Sequence, residues 1–170
     1  MTFCPRCGGP LVTRFVEGRD RWVCDACHVI HYRNPVPSTT CLIPTQSGIV
    51  VIKRRFDPGM GGWAFPGGFI DAEETVAEAA VREVKEETNF DVALDGLLGV
   101  YSYVDAVKSG LVVVYQASVI GGEACAGDDA EEVAVFPADA LPPLVFESHR
   151  RALELWQLRQ AEGLAPLPLL

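Results

Sequence analysis

The stretch Thr75 to Asn89, TVAEAAVREVKEETN, gathers Arg82, Glu83, Glu86 and Glu87 shortly after the pair Gly67-Gly68. Carboxylates set this close repel one another unless a cation lies among them. Helical spacing of i and i+4 puts Glu83 and Glu87 on one face, with Glu86 on the adjacent flank. Such a patch of oxygen ligands suits a hard divalent ion, Mg²⁺ or Mn²⁺, which keeps several waters and bridges carboxylates to phosphate oxygens. A pyrophosphate would complete the shell. The competing reading of a charge run is a solvated helix face, and Glu73, Glu78 and Lys85 taken singly read that way.

These side chains need a rigid support. Ala77, Ala80, Val81 and Val84 recur at helical spacing, which predicts that this side packs on a sheet and holds the carboxylates outward. Thr75 with Glu78 three residues on makes a capping box, and Asn89 suits the left-handed residue that ends a helix. Arg82 is expected to pair with Glu74 or Glu86 and so orient the cluster. Gly67 and Gly68, after Trp63-Ala64-Phe65-Pro66, offer backbone that a ligand can approach closely.

Read outward, the pattern is Gly68, five residues, Glu74, seven residues, Arg82-Glu83-Val84, one residue, Glu86-Glu87. It resembles the signature of the Nudix hydrolases, which cleave a nucleoside diphosphate linked to another group. The resemblance implies that a carbonyl at Gly67 joins Glu83, Glu86 and Glu87 as ligands of the catalytic Mg²⁺ or Mn²⁺. It also implies Gly where this chain has Asn89. The reaction it implies is substitution at phosphorus by water, with Glu83 or Glu86 as the base. In relatives that hydrolyse ADP-ribose, a Glu on a late loop shortly before an aromatic residue takes that role. The matching position is Glu132, ahead of Phe136 and beside Glu131; simple solvation of an acidic loop is the alternative. The candidate catalytic set is therefore Glu83, Glu86, Glu132 and Arg82. Lys53, Arg54 and Arg55 could reach phosphates, or simply end a strand in solvent. Trp63 and Phe65 read as core, and His28, His31 and His149 show no partner spacing that would make them catalytic.

A second constellation lies near the amino end. Cys4-Pro5-Arg6-Cys7 and Cys24-Asp25-Ala26-Cys27 are separated by sixteen residues, the spacing of a four-thiolate zinc site. Four protein ligands leave no open position, so the Zn²⁺ would be structural; Gly8-Gly9 allows the first knuckle to turn. Two disulfides are the alternative. Cys41 and Cys125 read as small buried hydrophobes.

At 170 residues, 49% hydrophobic and 22% charged, the chain can bury one good core. No apolar run reaches transmembrane length and no basic leader is visible, so a soluble, cytoplasmic protein is expected. A net charge of −9 argues against a general grip on duplex DNA, although Arg6, Arg14, Arg19, Arg21 and Arg33 outnumber the acids of residues 1–35. Asn34-Pro35-Val36-Pro37 marks a joint between a zinc ribbon, 1–35, and a catalytic domain, 36–170. Strands are predicted over Thr39 to Ile43, Ile49 to Lys53, Leu97 to Tyr103, Leu111 to Ile120 and Val133 to Phe136. A loop is predicted over Gly121 to Glu132, and a closing helix over Glu147 to Glu162. The fold class is α/β, a Nudix-like α/β/α sandwich with a mixed sheet behind a small zinc ribbon.

The ribbon and Cys27 to Pro35 are similar to NADH pyrophosphatases, but Tyr101-Ser102-Tyr103-Val104-Asp105 stands where those enzymes have a Ser-Gln-Pro-Trp-Pro-Phe-Pro stretch. The fuller likeness, through Phe136 to Pro142 and Leu144 to Phe146, is to zinc-ribbon Nudix proteins acting on ADP-ribose or FAD. The resemblance thus implies a nucleotide-containing small molecule as substrate and, since relatives are often dimers, a homodimer. The alternatives are a nucleotide-sensing or nucleic-acid- or protein-binding module, and an enzyme of NADH, nucleoside triphosphates or capped RNA.

Overall fold

A computed structural model of the chain describes residues 2–104, 109–127 and 129–169, in two compact units, Met1–Pro35 and Val36–Leu170. Asp105 of the tyrosine stretch lies outside the described residues.

In the first unit Leu11–Val16 (β1), Arg19–Cys24 (β2) and Ile30–His31 (β3) form an antiparallel sheet in that order. Glu17 and Gly18 close the β1–β2 hairpin, both at positive φ, as a two-residue turn of this twist requires. Among the described residues here only Cys4, Val23 and Cys24 are buried. A core of one valine and two cysteines cannot hold a fold by hydrophobic burial, so cross-linking of the cysteines must.

The second unit is a mixed sheet between two helices. Val36–Thr45 (β4), Gly48–Arg54 (β5), Trp63–Ala64 (β6), Asp91–Val104 (β7) and Ser109–Gly121 (β8) run in the order β6-β5-β4-β8-β7, and Ala130–Phe136 (β9) pairs with β5. Among the described strands β4 and β8 pair in parallel and the other pairs are antiparallel. The helices are Val76–Thr88 (α1) and Glu147–Glu162 (α2). Strand alternation sends Cys41 and Ile43 into a cluster with Ala80 and Val84 of α1, while Leu42 joins Ala152 of α2 in another. The expected α/β/α sandwich is the result. No helix among the described residues is long and apolar enough to cross a membrane.

Several elements differ from the sequence reading: β4 starts at Val36 rather than Thr39, because Val36 to Ser38 continue its parallel ladder against Gly110 to Val112 of β8, and β7 and β9 also start early. β7 starts at Asp91 rather than Leu97, because its pairing with β8 continues through three register shifts, one of them between Leu94 and Gly96, while Val92 and Leu94 pack under α1. β9 starts at Ala130, so Glu131 and Glu132 lie in a strand and not in a loop; pairing with Lys53 and Arg54 of β5 carries the ladder back into this polar stretch.

Candidate active site

α1 is held at both ends. The Glu78 N–H donates to Thr75 Oγ1 at 3.2 Å and the Thr75 N–H to the Glu78 carboxylate at 2.8 Å, a reciprocal capping box. Asn89, at φ 60°, takes the left-handed closing position. The loop after β8 then covers exposed carbonyls: the Cys125 N–H donates to Thr88 O at 3.0 Å and the Gly127 N–H to Glu87 O at 3.3 Å. Gly127 must be glycine, since a Cβ there would lie 2.1 Å from the Glu86 carbonyl oxygen.

The buried stripe of α1 is rotated from the expected one. Ala79, Ala80 and Val84 are buried, Ala77 is half-buried and Val81 is exposed. The stripe continues into Glu87, only 4% exposed. Of the three carboxylates expected to face outward, Glu87 therefore points inward, Glu83 is largely covered and Glu86 is open, with side-chain exposures for the last two of 15% and 44%. The reason is a partner that spacing could not reveal: the Gly67 N–H donates to Glu87 Oε2 at 2.8 Å.

The segment carrying that amide runs antiparallel beside β4. Cys41 N and Thr40 Oγ1 both donate to Pro66 O, at 2.9 and 2.7 Å, and Thr39 N donates to Gly68 O at 2.9 Å. The carbonyls of Pro66 and Gly68 are thus taken. That of Gly67, between them, accepts no hydrogen bond among the described residues. A Cβ at Gly67 would lie 2.2 Å from Thr39 O, and one at Gly68 2.4 Å from Glu83 Oε1. Glycine at both positions lets the segment pass close to β4 and α1, with the Gly67 amide on Glu87 and Gly68 against Glu83. The Gly67 carbonyl and the carboxylates of Glu83, Glu86 and Glu87 offer oxygen donors only, the chemistry that suits Mg²⁺ or Mn²⁺, but among the described residues only the four cysteines bring their ligand atoms together, since Arg82 draws Glu83 and Glu86 while the Gly67 N–H holds Glu87.

Arg82 organises this set. Its Nε and Nη2 donate to the two oxygens of Glu74 at 2.9 and 2.6 Å, Nη1 to Glu83 and Glu86 at 2.9 and 2.8 Å, and Nη2 also to Phe69 O at 3.1 Å. A guanidinium has five N–H donors, so all are engaged. Sequence spacing left Glu74 and Glu86 as alternatives; the guanidinium takes both, with Glu83. Its hydrogen bonds hold the Glu74 carboxyl down to about 2, and the same contacts raise Arg82 further. Burial acts oppositely on the other side: it raises Glu83, against the pull of Arg82, and brings Glu87 up to about 8 with the Gly67 bond opposing.

The other candidates lie around β5 and β9. Glu132 is exposed on β9 opposite Lys53, which pairs instead with Glu131 at 3.3 Å. Arg54 Nε donates to Pro58 O at 2.8 Å, and its guanidinium lies 5.1 Å from the Phe146 ring centroid. Arg55 donates to Ala130 O at 2.8 Å. Phe65 is core, as expected, and Trp63 packs edge-on to Phe136. Cys41 is buried and its thiol pushed up to about 12 by that burial, whereas Cys125 is exposed, contrary to expectation, because its loop crosses the surface at the end of α1. His149, which showed no partner spacing, is buried against Phe65. Its partner lies 84 residues away, too far for any local pattern to show.

In the first unit the Sγ atoms of Cys4, Cys7, Cys24 and Cys27 all lie within 4.8 Å of one another. The pairs Cys4–Cys27 and Cys7–Cys24 stand at 3.8 and 3.5 Å, near the edge of a tetrahedron with Zn–S bonds of about 2.3 Å and far from a disulfide of about 2.0 Å. The knuckles are built alike. The Gly8 N–H donates to Cys4 O at 2.8 Å and the His28 N–H to Cys24 O at 2.9 Å, with Gly8 and His28 both at positive φ. His31 Nε2 stands 3.3 Å from Cys4 Sγ, a neighbour that the cysteine spacing did not show.

Comparison with known proteins agrees with this geometry. Residues 34–156 match the family described as NUDIX domain, and residues 2–33 the one described as Nudix N-terminal, a zinc ribbon. The chain is 43% identical over 121 residues to an ADP-ribose pyrophosphatase of Methanocaldococcus jannaschii, covering 70% of this chain and 72% of that one. It is 30% identical over 170 residues to the NAD-capped RNA hydrolase NudC of Pseudomonas aeruginosa, covering 97% of this chain but spanning only 59% of that protein's length. The crystal structure of a NUDIX hydrolase from Nitrosomonas europaea superposes with a TM-score of 0.86 at 29% identity, covering 99% and 97% of the two chains. With a matched domain, a matched ribbon and the carboxylate helix in place, the chain belongs to the Nudix hydrolase family and is a pyrophosphohydrolase of its zinc-ribbon group.

Proposed function

We propose that the chain hydrolyses the pyrophosphate bond of ADP-ribose, or of FAD or a related nucleoside diphosphate linked to another group, releasing a nucleoside monophosphate and a second phosphate ester. The observation that carries this is the meeting of α1 with the Gly67-Gly68 segment: Glu87 accepts the Gly67 N–H, Glu83 lies against Gly68, Arg82 braces Glu83 with Glu86, and the Gly67 carbonyl accepts no hydrogen bond among the described residues. The 43% identity to an ADP-ribose pyrophosphatase supports the substrate class. Gly67, Glu83, Glu86 and Glu87 would hold Mg²⁺ or Mn²⁺, which would supply charge neutralisation for the pyrophosphate and a more acidic water. Arg82 is a positioning residue, its donors all occupied by protein. Water adds to one phosphorus, the bridging P–O bond breaks, and the proton passes to a carboxylate. Glu86 and Glu132, both exposed, are the candidates to take it. Arg54, at the end of β5, is the nearer phosphate-binding candidate, since its charge acts on Glu87; Arg55 is the second.

The match to NudC across 97% of this chain favours a second reading, an NAD-linked substrate such as NADH or an NAD-capped RNA end. One screen separates the two: purified protein with Mg²⁺ or Mn²⁺ against ADP-ribose, FAD, NADH, NAD-capped RNA and nucleoside triphosphates, beside Glu87→Gln. ADP-ribose or FAD should turn over fastest, and Glu87→Gln should lose most activity. No turnover of any substrate, or a variant as active as the parent, would sink the proposal. Glu132→Gln should lower kcat about 10²–10⁴-fold where Glu132 is the base, and parent-like kcat in that variant would assign the proton to Glu86.

A further inference from the structure

The segment Phe65–Gly67 has an edge turned away from β4, and both of its amide hydrogens on that edge are captured by side chains from opposite faces of the sheet. Gly67 N–H goes to Glu87 of α1; Phe65 N–H goes to His149 Nδ1 of α2, at 3.1 Å. His149 is 6% exposed, its ring stacked on Phe65 with centroids 5.3 Å apart and planes 10° from parallel, and met edge-on by Phe146 at 5.1 Å. Accepting from a backbone N–H requires a lone pair on Nδ1, so the ring is neutral with its proton on Nε2. Burial agrees, lowering the His149 pKa to about 3, with the charges of Arg54 and Arg150 adding to it.

We propose that His149 is a positioning residue for the divalent-cation site: it fixes the backbone two residues before Gly67, so that the free Gly67 carbonyl is presented to Glu83, Glu86 and Glu87. The inference rests on reading those groups as the cation site. With β4 holding the Pro66 and Gly68 carbonyls, and Glu87 and His149 holding the amides of Gly67 and Phe65, the Gly67 carbonyl is the one backbone acceptor of 66–68 left without a hydrogen bond among the described residues. Nothing in α1 could replace this grip, because α1 packs on the sheet face opposite to α2. Partners of this kind, one shell removed from a metal, typically change affinity by about 10–100-fold when lost.

The test is direct Mn²⁺ binding, without nucleotide, by electron paramagnetic resonance on the full-length zinc-loaded protein. His149→Leu keeps bulk and removes the acceptor; His149→Asn places an amide oxygen close to where Nδ1 was. Mn²⁺ affinity should fall about 10–100-fold in His149→Leu and return to within about three-fold of the parent in His149→Asn. Parent-like Mn²⁺ affinity in His149→Leu overturns the proposal. So does a folded His149→Asn that binds as poorly as His149→Leu, since the role would then be ring packing. If His149→Leu does not fold, His149→Phe, which keeps a ring on Phe65 and lacks the acceptor, takes its place, and the same outcomes decide. A parent protein that binds no Mn²⁺ overturns the cation-site reading and this proposal together, whereas binding without hydrolysis of any substrate leaves the proposal standing and removes only the proposed function.

Discussion

At the residue scale Glu87 is the least ordinary group in the chain. A carboxyl buried to this degree avoids ionisation, and its pKa rises from 4.5 to about 8, with burial as the largest cause. A folded-state value above the unfolded one means that the stability tied to the neutral form is complete below pH 4.5 and is lost as pH climbs through about 8. In Mg²⁺-free, zinc-loaded protein, Glu87→Gln should therefore flatten the fall in melting temperature over that window and melt higher than the parent at pH 8. The gain should be about 2–4 °C for each kcal/mol recovered. The glutamine oxygen can still accept the Gly67 N–H. Equal pH profiles for parent and variant in scanning calorimetry would show that Glu87 is not held neutral. The same substitution that stabilises the fold should impair turnover, as expected where a site is built against stability. Spacing alone named Glu87 as part of the patch, but whether it faced water or protein depended on Gly67, twenty residues earlier in the chain.

At the element scale the site depends on α1 being held rigid at both ends. Replacing Thr75 by Ala removes the acceptor for Glu78 N and should cost about 1 kcal/mol, read as a shift of the denaturation midpoint. Gly127→Ala should be costlier, since its Cβ would meet the Glu86 carbonyl oxygen at 2.1 Å and push the capping loop off the helix that carries Glu83, Glu86 and Glu87. Chemical denaturation that ranks Thr75→Ala above Gly127→Ala would contradict this account of the C-terminal cap. The capping box and the left-handed Asn89 were readable because both are local: the residues that bond are within four positions of each other. The loop cap, the rotated buried stripe and the early start of β7 were not. Each depends on a neighbour brought in by the sheet: Gly127 onto Glu86, Gly67 onto Glu87, β8 onto Asp91.

At the scale of the whole molecule the two units rest on different physics. Val36–Leu170 has three clusters of buried side chains, while Met1–Pro35 has one buried valine and two buried cysteines among its described residues. Structural zinc of this type carries about 10–16 kcal/mol of apparent binding energy, sufficient to fold a segment that lacks a core. Cys24→Ser should therefore cost the chain its zinc, measured by elemental analysis. It should also abolish amide-exchange protection in β1 and β2 while protection in β4, β5 and β8 persists. Retained protection in β1 and β2 without zinc would show that the first unit folds by other means. The sequence by itself determined the family and the pattern of candidate residues, because carboxylate spacing on a helix, two cysteine knuckles and a glycine pair are local patterns whose geometry follows from backbone periods. Only the tertiary structure decided which carboxylate is buried, which carbonyl is left free, that Arg82 serves four partners at once and that His149 reaches Phe65. Those outcomes are fixed by contacts between residues far apart in the chain, and local periodicity carries no information about which distant groups the sheet brings together.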